Sequence, residues 1–280
     1  MFKYKLQRAQ SGEIPLNKPL EGVRVIELGQ LLAGPFAGCM LGYFGAEIIK
    51  VEPPGGDPIR NWRTVKDGTS LWWHSLARNK KCISLNLKAE EGRDLVRKLL
   101  SSADVVVENF RPGVLENWGL DPDSMREENP DLIYARISGF GQTGPYSAKA
   151  GFASACEAIS GFRYVNGFPG QAPVRPNLSL GDTISGLHAV LGILMALRSR
   201  DQGNEGQVVD VALYESMFNL LEAVVPEYDG AGEIREPSGT TVTGIVPTNT
   251  YECSDGKFLV IGGNGDSIFT RLMYAIGRPD

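Results

Sequence analysis

Two hydrophobic periods alternate through the first half of the chain. Val23–Leu28 (VRVIEL) is an apolar, β-branched run that predicts a buried strand. Ala33–Phe44 (AGPFAGCMLGYF) follows with small and apolar residues at helical spacing, and Glu47–Glu52 (EIIKVE) reads as a second strand. Lys81–Leu87 alternates as a strand does. Ala89–Ser101 places Leu95, Val96, Leu99 and Leu100 on one helical face. Asp104–Glu108 and Leu132–Ile137 complete a set of short buried-strand candidates. Strands alternating with helices predict a parallel sheet covered by helices on both faces, an α/β fold.

The second half is more helical. Residues 151–162 read as a helix. Asp182–Arg200 reads as a long one, with Ile184, Leu187, Leu191, Leu194 and Leu197 recurring every three or four positions. Arg200–Gly206 is a polar turn, Gln207–Leu213 a strand and Tyr214–Val225 a further helix. Composition shifts at Asp229–Gly244, rich in Gly, Thr, Pro and charge, which predicts a linker or mobile loop. Beyond it, Thr248–Glu252 and Lys257–Ile261 form a hairpin pattern about Asp255–Gly256, and a helix is expected from about Ser267 to Ile276.

Composition narrows the class. Hydrophobic residues make up 42% and charged residues 22% of 280, which excludes a disordered, collagen-like or charge-rich coiled-coil chain. The 34 glycines imply many tight turns or close backbone approaches. A net charge of −5 argues against nucleic acid as the main partner but leaves room for a local basic pocket. No unbroken apolar run reaches the ~18 residues of a membrane span, so no membrane partner is expected. Met1–Gln10 has Lys3, Lys5 and Arg8 but no apolar h-region, which is not a secretory signal, and is short for a mitochondrial presequence. Four scattered cysteines and two histidines offer neither a disulfide framework nor a metal site. Reduced thiols suit a cytoplasmic protein.

Few motifs carry chemistry alone. Gly139-Phe-Gly-Gln-Thr-Gly144 matches G-x-G-x-x-G, yet Pro145 follows and no helix opens there, so a dinucleotide site is not expected. A ligand-facing glycine loop and a plain turn remain open. Asp182, at the start of the long helix, is either an N-cap or a carboxylate nucleophile, already ionised at neutral pH. Glu108–Gly113 (ENFRPG) follows a strand, at the edge where open α/β sheets bind ligands, and Asn109 and Arg111 are candidate contacts. Arg78-Asn-Lys-Lys81 is a solvated basic face or a phosphate site. His188 reads as a packed or surface histidine.

Six segments in order carry a family resemblance: PLEGVRVIELGQLLAGPFAG, LGYFGAEIIKVEPPGGDPIR, ARNKKCISLNLK, ADVVVENFRPGVLENWGL, ISGFGQTGPY and LGDTISGLHAVLGILMAL. The chain resembles the class III coenzyme A transferases from about Pro19 to Gly277, looking most like the branch that handles succinyl-CoA and dicarboxylic acids. The resemblance implies a Rossmann-like large domain, here residues 1–228, then a linker and the start of a smaller α+β domain at 229–280. It implies an interlocked homodimer, acyl-CoA and carboxylate substrates, no metal, and coenzyme A as substrate rather than resident cofactor. Asp182 of the L-G-D segment is the implied nucleophile, passing through an aspartyl anhydride and an aspartyl–CoA thioester. Coenzyme A is expected at the turn Gln30, Leu31 and Ala33, at Arg78 and Lys80 for the phosphates, and at Asn109 and Phe110.

Each tetrahedral intermediate needs oxyanion donors. Gly139, Gly141, Gln142 and Gly144 are candidates, as is the loop Gly239–Gly244, which could also close over the site. Some relatives carry a histidine where Gln30 stands and a glutamine at Leu32, so a more apolar site is expected here. The α-methylacyl-CoA racemases share the fold but pair their aspartate with a histidine in A-G-H-D. Here the segment is Ala150-Gly151-Phe152-Ala153, and Phe152 cannot move a proton. Family members are longer, so the sequence is expected to be a fragment, or a truncated product surviving as a non-catalytic CoA- or partner-binding remnant.

Overall fold

A computed structural model of the chain describes residues 18–279; the Met1–Gln10 segment lies outside them. From β1 (Arg24–Glu27) the chain passes through α1 (Ala33–Tyr43) to β2 (Glu47–Glu52). A small ladder of β3 (Val65–Lys66) and β4 (Thr69–Ser70), then α2 (Leu71–Leu76), precedes β5 (Lys80–Ser84). Next come α3 (Glu90–Leu100), β6 (Val105–Glu108), α4 (Val114–Asn117), α5 (Pro122–Glu128) and β7 (Ile133–Ser138). α6 (Ala153–Ile159), α7 (Phe162–Val165) and the long α8 (Leu180–Arg200) lead to β8 (Val208–Ala212). The chain closes with α9 (Leu213–Phe218), α10 (Val224–Ala231), the hairpin β9 (Thr248–Glu252) and β10 (Phe258–Gly262), and α11 (Asp266–Ala275).

The main sheet is parallel throughout, in the order β5-β2-β1-β6-β7-β8. The chain starts in the middle, winds outward to one edge, then returns and winds outward to the other. The reversal lies between β1 and β6, the switch point at which doubly wound sheets bind ligands. The four inner strands are buried on both faces, which explains their continuous apolar runs, whereas the edge strand β5 is largely exposed. Val25, Val105 and Val107 pack on the side of α1 and α8 with Ala37, Leu41, Ala189 and Ile193. Ile26 and Val106 face the opposite layer with Val96, Leu100, Leu115 and Tyr134.

Three local expectations are adjusted. The single helix predicted over Tyr214–Val225 is two, because the chain turns at Glu222, whose φ is +51°. The 151–162 helix is likewise split, by Gly161 at φ +92°. β5 begins and ends earlier than the 81–87 pattern predicts. The α8 helix, interrupted by polar residues in sequence, is nevertheless long and apolar enough by composition to cross a membrane. Its Ala189, Val190, Ile193, Ala196 and Leu197 are instead buried in the core.

Candidate active site

The turn after β1 is built almost entirely from polar contacts that cross between elements. Leu28 and Gly29 donate their backbone N–H groups to the Val107 carbonyl. Asn109, just past β6, accepts the Gln30 N–H at 2.8 Å and donates its amide to the Gln30 carbonyl at 2.9 Å. A Cβ on Gly29 would lie 2.9 Å from Asn109 Oδ1, so glycine is what lets this amide approach. Leu31 holds a left-handed φ of +63°, unusual for a non-glycine residue, and donates its N–H to Asp57 at 3.1 Å.

Asp57 belongs to a buried ionic cluster beneath the turn. Lys50 Nζ lies 2.8 Å from Asp57, 3.0 Å from Glu27 and 2.8 Å from the Gly29 carbonyl. Lys80 Nζ lies 2.7 Å from the other Glu27 oxygen and 2.6 Å from the Pro35 carbonyl. Burial opposes the charge on Lys50, but the flanking carboxylates of Glu27 and Asp57 win and raise its pKa. The cluster braces the cleft-lining turn from below.

Asp182 sits across the same cleft, in the first turn of α8. Ser179 occupies the N-cap position and Asp182 is the third helical residue, so the capping alternative is corrected. Burial pushes Asp182 up to about 6, with a further push from Glu157, against the pull of Arg175 and a backbone N–H. Glu157, on α6, is fully buried. One of its oxygens accepts the Gly181 N–H at 3.1 Å; the other meets Arg163 Nε at 2.8 Å and Nη2 at 2.7 Å.

A cleft of about 540 Å³ joins these parts. Gln30, Leu31, Ala33, Asn109, Phe110, Gly139 and Asp182 all line it. So do three cations, Arg111, Lys149 and Arg175, for which no carboxylate partner is found among the described residues. Apolar wall comes from Leu32 and Phe152, the latter 73% exposed.

Other expected site residues lie elsewhere. Lys80 does not line the cleft; its ammonium is wholly buried against Glu27. Arg78 is exposed outside the cleft, stacked over Tyr43 at 5.1 Å with Nε on the Ser75 carbonyl. In the glycine loop, Gly141, Gln142 and Gly144 do not line the cleft, and the Gln142 N–H is already held by Asp210 at 2.8 Å. Gly139 has a packing reason to be glycine, since a Cβ there would come within 2.6 Å of Gly151 Cα. The Gly239–Gly244 loop is also off the cleft, with the Gly239 N–H on the Gly167 carbonyl.

Glu157, Arg163, Arg175 and Asp57 were not singled out from sequence. Glu157 had one signal, as the lone acid in the otherwise small or apolar helix ASACEAI. Lys50 had another, a lysine inside the apolar strand EIIKVE.

The succinyl-CoA–D-citramalate CoA-transferase of Chloroflexus aurantiacus is 51% identical over 265 residues, which are 94% of this chain and 66% of the relative. The succinyl-CoA–L-malate CoA-transferase alpha subunit of the same organism is 44% identical over 266 residues, covering 94% of this chain and 62% of the relative. The chain therefore spans somewhat under two thirds of the length of these curated relatives. A CaiB/BaiF family protein from Brucella suis, solved by crystallography, superposes with a TM-score of 0.85 at 36% identity, covering 94% of this chain and 71% of that one. The family model described as CoA-transferase family III matches residues 20–280. With that match spanning nearly the whole sequence and the switch-point cleft in place, the chain belongs to CoA-transferase family III.

Proposed function

We propose that the chain carries an acyl-CoA:carboxylate CoA transferase activity with Asp182 as nucleophile. The observation that carries this reading is a half-buried carboxylate of raised pKa, on the first turn of a core helix, facing the switch-point cleft. At neutral pH it is mainly ionised and needs no base to attack. Its raised pKa makes it a stronger nucleophile than a solvated aspartate.

The reaction runs through four acyl transfers, the first and last at the substrates' acyl carbons and the middle two at the aspartyl carbonyl of Asp182. Asp182 Oδ attacks the thioester carbonyl, and the C–S bond breaks to give a mixed anhydride and CoA thiolate. The thiolate attacks the aspartyl carbonyl, releasing the donor acid and leaving an aspartyl–CoA thioester. The acceptor carboxylate attacks that thioester, forming a second anhydride and freeing the thiolate again. Attack of the thiolate on the acceptor's acyl carbon releases the new acyl-CoA and restores Asp182. The anhydrides hydrolyse readily, and the apolar wall of Leu31, Leu32 and Phe152 limits water. Arg111, Lys149 and Arg175 complement anionic substrates. Gly139 is the one candidate oxyanion glycine that borders the cleft.

The relatives' names pair succinyl-CoA with D-citramalate and with L-malate. Succinyl-CoA and a dicarboxylic acid are accordingly the proposed pair here. A homodimer is the proposed assembly; the malate relative, called an alpha subunit, offers pairing with a related chain as the other form. Phe152 gives a racemase no second base, and neither histidine lines the cleft. Incubation with succinyl-CoA should leave a CoA-sized adduct on Asp182 by mass spectrometry, and Asp182→Ala should abolish transfer. Exchange of an α-proton into deuterated water without CoA transfer would overturn the reading.

A further inference from the structure

We propose that Glu157 is the positioning residue of the nucleophile, its buried carboxylate fixing the first turn of α8 by accepting the Gly181 N–H while Arg163 anchors it from behind. This rests on the reading of Asp182 as nucleophile. Three observations carry it. Glu157 has no exposed surface, so its charge has been taken out of water. Its two oxygens face different elements: one takes the Gly181 N–H at 3.1 Å, the other Arg163 at 2.7–2.8 Å. Gly181 is packed so closely that a Cβ there would meet Ala153 Cβ at 3.1 Å and Glu157 Oε1 at 3.4 Å.

Ser179 provides no side-chain cap for α8. The early N–H groups of a helix lack intrahelical partners, and Glu157 satisfies one of them from a neighbouring helix. The residue so held is directly before Asp182. Rotation of this turn would move the nucleophile, and a displacement of ~1 Å can cost ~100-fold in rate. Glu157 also places a second negative charge near Asp182, which favours the protonated form of the nucleophile. The titratable or charged groups on the surrounding elements, besides Asp182, are Cys156 on α6, Arg163 and Tyr164 on α7, Arg175 before α8, His188, Arg198 and Arg200 on α8, and Tyr214 with Glu215 on α9. The last two are hydrogen-bonded to each other, and His188 Nδ1 lies on the Ile184 carbonyl.

Two substitutions separate orientation from charge. Glu157→Gln removes the charge and keeps one acceptor oxygen, which can serve Gly181 or Arg163 but not both. Its kcat should fall by less than that of Glu157→Leu, and the acid limb of kcat/KM should move down. A ¹³C-detected titration of the Asp182 carboxyl should move the same way. Glu157→Leu removes the acceptor and should lower kcat about tenfold to a hundredfold with KM for acyl-CoA little changed. An unmoved Asp182 titration in Glu157→Gln, or unchanged kcat in folded Glu157→Leu, overturns the proposal. If Glu157→Leu does not fold, the titration of Glu157→Gln decides alone. That titration needs no turnover, so absence of transfer by the unmodified protein would count against the transferase reading and not against this one.

Discussion

At the scale of single residues, Asp182 shows how its proposed role and the stability of the fold oppose each other. Burial and Glu157 raise its pKa, so ionising it costs folding free energy. The sign follows from linkage. Below the ordinary aspartate pKa of 3.8 the side chain is protonated in both folded and unfolded chains. As pH rises through about 6 the folded state must accept a disfavoured charge, and stability falls. A rise from 3.8 to about 6, at about 1.4 kcal/mol per pH unit, bounds the cost at about 3 kcal/mol. Asp182→Asn should therefore abolish transfer and stabilise the protein at pH 7.5 by about 1–3 kcal/mol. The gain should shrink towards pH 4. A variant less stable than its parent at pH 7.5, by thermal unfolding, would show the charge to be well solvated. Asp182 was legible because the L-G-D segment sits in an ordered series of family-like segments. Glu157 was not, because the contact with Gly181 spans 24 residues and no local period marks it.

At the scale of elements, hydrophobic period located the strands and most helices, since the four inner strands are covered on both faces and each shows an apolar run, while the edge strand β5 alternates. It failed where long-range packing breaks a helix that the pattern continues, as at Glu222, with Leu220, Leu221, Val224 and Val225 on both sides. The basic run Arg78-Asn-Lys-Lys81 carries no sign that its two lysines face opposite sides. Lys81 faces outward to Glu47, whereas Lys80 turns inward to Glu27; alternate residues of a strand point to opposite sides. The inward pair depends on α1 approaching β1 closely at Gly38. A Cβ there would lie 1.9 Å from Glu27 Oε2. Alanine would improve helix propensity by about 1 kcal/mol. Breaking a buried ion pair costs about 3–5 kcal/mol, so sterics should win. Gly38→Ala should lower the stability by about 2–4 kcal/mol in urea unfolding. An unchanged midpoint would mean that Glu27 can leave Lys80 without loss.

At the scale of the whole molecule, chain order and spatial order diverge. The cleft collects residues from the ends of β1, β6 and β7 and from the starts of α6 and α8. That assembly follows from the reversal between β1 and β6, which no local pattern shows; the sheet-edge reading of Glu108–Gly113 located one wall of the cleft, and the series of family-like segments joined it to Asp182. The same scale exposes an unmet requirement. Val246 is 85% exposed, Val260 75% and Phe258 70%, on or beside the β9–β10 hairpin, and Met195 on α8 is 68% exposed. Large apolar side chains left in water mark surfaces that other protein covers, and the proposed homodimer would cover these. Sedimentation of the protein at micromolar concentration should give a dimer. Val260→Glu and Phe258→Lys each place a charge on β10, where a packed interface would have to desolvate it, and should shift the equilibrium towards monomer. Neither should alter the unfolding of the parallel-sheet core, because β9 and β10 form a separate two-stranded sheet. A protein that sediments as a monomer and is unchanged by both substitutions would show that the exposed hairpin is not an assembly surface.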